Sequence, residues 1–223
     1  MRIIFVRHGD PNYEKDCLTE LGHKQAKLAA QRLLKEGIEE IYSSPMGRAQ
    51  QTAQAFSELS GIKEIHTLDF MKEIRYGLEN DLYNQEYSPW VAVDELAAAG
   101  KNLQDPDWRK FPVFVNNTAT IDVDNVRANA DKWLESLGYK REGLYYKNIR
   151  KDDAQHTIAL FSHGGSSTAL LSQVLNIPFP HLCATLHIPH TGITILRLDR
   201  NPGKIAVPVI ELMNDGNHLP QVK

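Results

Sequence analysis

Ile3-Ile4-Phe5-Val6 forms a short, unbroken apolar run near the start of the chain, the pattern of a strand buried on both faces of a parallel sheet. A polar loop from Asp10 to Asp16 follows. Thr19 then stands as a helix N-cap, with Leu18 placed to pack back on the first turn. Leu21, Leu28, Ala29, Leu33 and Leu34 recur at helical spacing, and Gly37 sits where a left-handed residue ends a helix. Residues 38–42 read as a second strand, Ser43-Ser44-Pro45 as a turn into a helix over 46–59, Gly61 as its end, and 62–67 as a third short strand. This β-α-β-α-β order predicts a parallel sheet with right-handed crossovers.

The regularity stops between about residues 77 and 153. Tyr83, Tyr87, Trp90, Pro106, Trp108 and Pro112 are scattered there without one period, until a helix over 122–137 reappears with Val123, Val126, Ala130, Trp133, Leu134 and Leu137 on one side. We expect residues 78–155 to be a cap inserted within a single domain spanning 1–223 and lying over the sheet edge. Residues 157–161 form a second buried-strand pattern, followed by Ser162-His163-Gly164-Gly165 and a helix through Leu175. Two strands over 191–199 and 204–211, joined at Asn201-Pro202-Gly203, complete the pattern, with a polar surface tail beyond Asn214. The predicted fold is a three-layer α/β/α sandwich with a mostly parallel, Rossmann-like sheet and an inserted cap region.

Three polar segments share one address, the carboxyl end of a strand: Arg7-His8-Gly9, the turn from Ser43 to Arg48, and His163-Gly164-Gly165. Open α/β sheets bind ligands at that edge, and parallel strands bring their carboxyl ends together. Two arginines, two histidines and the backbone amides of a glycine-rich helix start make a site for an oxyanion, and phosphate uses it best. Arg7-His8-Gly9 alone is a weak signal; the three segments together are a strong one.

These residues resemble the histidine phosphatase superfamily, in its phosphoglycerate mutase-like branch 1. Arg7-His8-Gly9 is similar to its RHG nucleophile motif. Leu18-Thr19-Glu20-Leu21-Gly22-His23-Lys24-Gln25-Ala26 is similar to the helix that follows, Ser43 to Ala53 to the next motif, and Ser162-His163-Gly164-Gly165 to the second histidine motif. The resemblance covers residues 2 to about 77 and about 157 to 219. It implies that His8 is the nucleophile forming a phosphohistidine and that Arg7, Arg48, a protonated His163 and Gly164 bind phosphate. It also implies a general acid in an E-x-x-x-G context, which Glu73 to Gly77 match, with Asp69 and Glu79 as competing carboxylates. No metal and no other cofactor is implied.

Other residues carry weaker signals. His187 and His190 are spaced HxxH but lack further acid or cysteine ligands, so they read as structural or supporting, as do Asn214, Asp215 and His218. Trp90, Trp108, Tyr145 and Tyr146 either line a substrate pocket or build a core. Arg75, Arg109 and Lys110 could meet a second anionic group of the substrate. Asp10-Pro11 departs from the family pattern, and Asn12 is out of register with the asparagine that mutases carry, where this chain has Glu14. With no extended mutase signature, hydrolysis is favoured over phosphoglycerate mutase activity, and a non-catalytic phospho-ligand binding module is the reading from another class.

Composition narrows the partner. The 223 residues are 42% hydrophobic and 24% charged with a formal net charge of −3, which gives no basic footprint for nucleic acid. No run of apolar residues is long enough for a membrane span. Cys17 and Cys183 cannot build a disulfide framework and read as free thiols. No leader pattern precedes the first strand. The expectation is a cytoplasmic phosphatase acting on a small phosphorylated metabolite, with a homodimer left open.

Overall fold

The computed structural model describes residues 1–220. In chain order, β1 (Arg2–Arg7), α1 (Glu20–Leu33), β2 (Glu40–Ser43), α2 (Gly47–Ser60) and β3 (Ile65–Thr67) build the first half. Then follow α3 (Pro89–Ala98), α4 (Thr118–Ser136), β4 (Tyr139–Glu142) and β5 (Tyr145–Asn148). The last part is β6 (Thr157–Ser162), α5 (Gly164–Val174), α6 (Phe179–Thr185), β7 (Ile193–Arg197), β8 (Ile205–Ala206) and β9 (Val209–Asp215). Six strands form the main sheet in the order β9-β7-β1-β6-β2-β3. The β1, β6, β2 and β3 strands run parallel, whereas β7 is antiparallel to both β1 and β9. The fold is α/β with a mostly parallel sheet, as the periodicity predicts.

Alternation along β1 explains the two helical layers. Ile4 and Val6 point into a core with Ala30 and Leu33 of α1 and Ala53 and Phe56 of α2. Ile3 and Phe5 point the other way, into a larger core with Val126 and Trp133 of α4 and Leu170 and Val174 of α5. One helix of the inserted segment therefore lies on a face of the sheet. That helix, α4, completes the face beside α5, and the Trp133 ring stands edge-on 5.4 Å from Tyr42 of β2. A helix in this position must be apolar along one side, the period that made it legible.

Local boundaries differ where short-range signals compete. Asn117 caps α4 by accepting the Ala119 amide at 3.0 Å, so the helix starts at Thr118, before the residues whose period announced it. Helices α3 and α6, 10 and 7 residues long, are too short to establish a period. The expected strand over 204–211 divides. Ile205–Ala206 pairs with β5 in a three-stranded sheet ordered β8-β5-β4, while Val209–Asp215 pairs with β7. Pairing across the chain, which no local window contains, separates the two.

Gly9 and Gly22 let α1 touch the loop after β1. A Cβ on Gly22 would fall 2.1 Å from the Asp10 carbonyl oxygen, and one on Gly9 would fall 2.5 Å from that of Gly22. The Asp10 amide donates to the Gln25 side chain at 2.7 Å across the same contact. The spacing of Gly22 and Gln25 is thus the imprint of a helix laid directly on the loop after β1. Gly22→Ala is expected to destabilise the fold by about 3 kcal/mol, because neither backbone can yield; urea unfolding checks this, and a loss under about 0.5 kcal/mol, the range of an ordinary surface change, would refute the close contact.

Candidate active site

Parallel pairing sets the site. Arg7 lies opposite Ser162, and Phe161 opposite Ser43, so the chain leaves β1, β6 and β2 at neighbouring points of one edge. His8, Arg48 and His163 meet there, with His8 and His163 ring centroids 5.1 Å apart.

His8 is 1% exposed. Its Nδ1 lies 2.7 Å from the Gly9 carbonyl oxygen and Nε2 lies 3.2 Å from Arg48 Nε, which donates to it. Those partners assign the proton to Nδ1 and leave Nε2 unprotonated, with its lone pair accepting from Arg48, a bond that must be given up when Nε2 attacks. Burial, then the charges of Arg48 and Arg7, push the His8 pKa down to about 3, against the carbonyl's opposing pull. The Gly9 amide in turn donates to Thr52 Oγ1 at 3.1 Å, whose hydroxyl donates to the Arg48 carbonyl at 2.8 Å. One threonine of α2 thereby ties the His8 loop to the helix that carries Arg48.

Arg48 is nearly buried, and its Nη1 donates to Asp16 Oδ1 at 2.5 Å. Asp16 also accepts the Gly47 amide at 2.7 Å, capping the start of α2, and the Tyr13 ring lies 5.3 Å from the Arg48 guanidinium carbon. The sequence analysis did not single out Asp16 or Thr52 as site residues. Thr52 lies inside a recognised motif, but Asp16 is a loop residue at φ +47° with no local signal. Arg7 donates through Nη1 to the Ile188 carbonyl at 2.6 Å, while its Nε is buried without a partner.

His163 corrects an expectation. Its Nε2 lies 2.8 Å from Ser44 Oγ, its Nδ1 is buried and unpartnered, and burial among Arg48, His8 and Arg7 holds its pKa well below the usual histidine range. The ring is therefore neutral at pH 7, not protonated; a phosphoryl dianion beside it would favour the charged form. His190 also belongs to this cluster, its ring 5.6 Å from His8 and its Nδ1 3.7 Å from Asp10 Oδ1.

Glu73 lies under the start of α5. Its carboxyl accepts the amides of Ile74 at 2.9 Å, Ser166 at 3.0 Å and Gly165 at 3.3 Å. Burial raises its pKa, and those amides with the Arg7 charge oppose the rise. A Cβ on Gly165 would fall 2.7 Å from Glu73 Oε1, so the second glycine of this motif makes room for the carboxyl. Two amides expected to face phosphate are thus engaged by Glu73. Gly164, beside the Arg7 guanidinium, lines the cavity itself. Asp69 and Glu79 are exposed and outside its wall.

A cavity of about 630 Å³ has Arg7, Arg48, Glu73 and Gly164 on its wall, and His8 and His163 are not among its lining residues. Trp90 lines it, whereas Trp108 and Tyr146 are buried in the core and Tyr145 faces solvent. Arg75, Arg109 and Lys110 pair instead with Asp122, Asp124 and Asp107. Among the described residues, no three His, Cys, Asp or Glu side chains group to hold a metal, and no helix is long and apolar enough to cross a membrane. Both cysteines are free, and burial pushes the Cys183 thiol up to about 12.

A histidine disfavoured as a cation costs no stability above its unfolded value of 6.5 and an increasing penalty as pH falls toward about 3. For His8 that penalty reaches about 2 kcal/mol at pH 5. Urea unfolding at pH 7.5 and 5 should show a correspondingly smaller acid loss in His8→Phe than in the unmodified protein. Equal losses would contradict the buried neutral imidazole.

The chain belongs to the histidine phosphatase superfamily (branch 1), whose profile matches residues 3–210. Its curated relatives include the probable phosphoglycerate mutase GpmB of Yersinia pestis (strain Pestoides F), 27% identical over 98% of this chain and 95% of that protein. Among solved structures, phosphoserine phosphatase from Entamoeba histolytica in complex with 3-phosphoglyceric acid superimposes with a TM-score of 0.65, at 24% identity over 98% of this chain and 99% of that one. Mycobacterial glucosyl-3-phosphoglycerate phosphatase with inorganic phosphate gives 0.66 at 19% identity, again over 98% and 99%. These likenesses are of fold.

Proposed function

We propose that this protein is a metal-independent phosphatase that hydrolyses a small-molecule phosphomonoester through a phosphohistidine on His8. The observation that carries the reading is the His8 imidazole, buried, neutral and protonated at Nδ1, with Arg48 at its Nε2 and Arg7 and Glu73 on the adjoining cavity wall. The Nε2 lone pair attacks phosphorus as the ester P–O bond breaks, and the Glu73 carboxyl gives its proton to the departing alkoxide. Arg7 and Arg48 hold the nonbridging oxygens with planar donors, where charge gathers in the transition state. In the second half Glu73, now a carboxylate, takes a proton from water, whose oxygen attacks phosphorus. The P–N bond breaks, its electron pair returns to Nε2, and inorganic phosphate leaves.

The test is phosphate release from a panel of phosphorylated metabolites in the presence of a chelator. Release that survives chelation supports the reading. Conversion of 3- to 2-phosphoglycerate without release would favour a mutase, and tight binding without turnover would favour a binding module.

A further inference from the structure

Past the two arginines, the cavity wall changes character. It is built from Ile74, Tyr76, Tyr83, Trp90, Leu186 and Ile188. Tyr76 is the hub: its ring lies 5.4 Å from Tyr83 at 89° and 6.3 Å from Trp90 at 79°. The hub is fixed at both ends, since its hydroxyl accepts from Gln85 Nε2 at 2.8 Å and its carbonyl accepts the Tyr83 amide at 2.7 Å. Tyr83 itself is held at φ +65°, left-handed backbone that a bulky side chain seldom adopts, with its residue surface 57% exposed. Strained backbone presenting a large ring to a cavity is a feature of binding sites, not of core packing.

Among the described residues, the same wall has no Lys or Arg beyond Arg7 and Arg48 to meet a second anionic group. Arg75 is clamped by Asp122 at 2.7 and 2.9 Å, Arg109 is forked onto Asp124, and Lys110 reaches Asp107 at 2.5 Å. The Thr168 hydroxyl is turned onto the Gly164 carbonyl at 2.8 Å. His187, exposed at the rim, offers a single imidazole where a carboxylate would need a guanidinium fork. A carboxylate drawn into this part of the cavity would lose water without a charged partner. A flat apolar ring would meet aromatic edges and faces.

We infer that the site takes monophosphate esters whose alcohol part is uncharged and carries a flat apolar ring, seated against Tyr76, Tyr83 and Trp90, and that it discriminates against phosphoglycerates and phosphoserine. The inference rests on the phosphatase reading. It gives the insertion a role: Tyr83 and Trp90 come from that segment and select the leaving group.

Benzyl phosphate and 3-phosphoglycerate both release primary alkoxides, so their comparison isolates the wall from leaving-group reactivity. The expected kcat/KM ratio favours benzyl phosphate by about 10- to 100-fold. Tyr83→Gly removes the ring while suiting the left-handed backbone, and should cut that ratio about tenfold, mainly through the KM of benzyl phosphate; Tyr83→Phe should retain it. Calorimetric binding to the His8→Ala variant reads the same preference without turnover. Equal or better use of 3-phosphoglycerate, or a ratio unmoved in Tyr83→Gly, overturns the inference and leaves the phosphatase reading standing. Absence of turnover with the binding preference intact overturns the phosphatase reading alone.

Discussion

His8→Ala is expected to lower phosphate release by about 10⁴-fold or more, the scale on which removing a covalent nucleophile acts. The reason is geometric as well as chemical. Nδ1–H is committed to the Gly9 carbonyl and the unprotonated Nε2 accepts from Arg48, so the ring is held at both nitrogens with Nε2 as its one basic atom. Rapid acid-free quenching of the unmodified protein with substrate should trap one phosphate per chain in an acid-labile, base-stable bond, and His8→Ala should trap none. An equal phosphoenzyme yield in the variant, or activity within tenfold, would remove His8 from the mechanism.

Glu73→Gln is expected to have the second largest effect, about 10²- to 10⁴-fold for esters of simple alcohols, since glutamine keeps the shape but has no acidic proton. With 4-nitrophenyl phosphate the loss should be much smaller, because that leaving group departs without protonation. The pH dependence follows from the direction of the shift. Burial raises the Glu73 pKa, so the acid form persists to higher pH than an ordinary carboxyl, and kcat/KM falls as pH rises through that value. His8 stays neutral down to about pH 3 and adds no limb near neutrality. Glu73→Gln should flatten the alkaline limb; a limb of the same midpoint in the variant would assign it to another group.

Much of this site is legible along the chain because its parts are local. Arg7 and His8 follow an apolar strand, Arg48 is the second residue of a helix after Ser43-Ser44-Pro45, and His163 precedes two glycines. Each is a strand end or helix start, where short-range backbone preferences decide the structure. The glycines carried more than turn propensity: Gly9 and Gly22 record the contact of a helix with the loop that carries His8, and Gly165 records the place of Glu73.

Other features depend on residues far apart in the chain, and no local pattern contains them. Asp16 holds Arg48 only because the loop before α1 folds over the start of α2. The protonation of His163 could not be read from its motif, since burial beside two arginines, and not residue type, sets it. The insertion showed neither its place nor its use, because α4 is recognisable as a helix but its partner, the face of β1 and β6, comes from both ends of the chain.

The sequence by itself determined the order of elements, the three strand ends and the residues Arg7, His8, Arg48 and His163, because strand period, helix caps and glycines act over a few residues. Only the tertiary structure decided that Glu73 lies under α5, that the insertion's Arg75, Arg109 and Lys110 are engaged by aspartates, and that Tyr76, Tyr83 and Trp90 form one wall. Charge pairing and aromatic packing are chosen by which neighbours arrive in space, and that is a property of the folded chain.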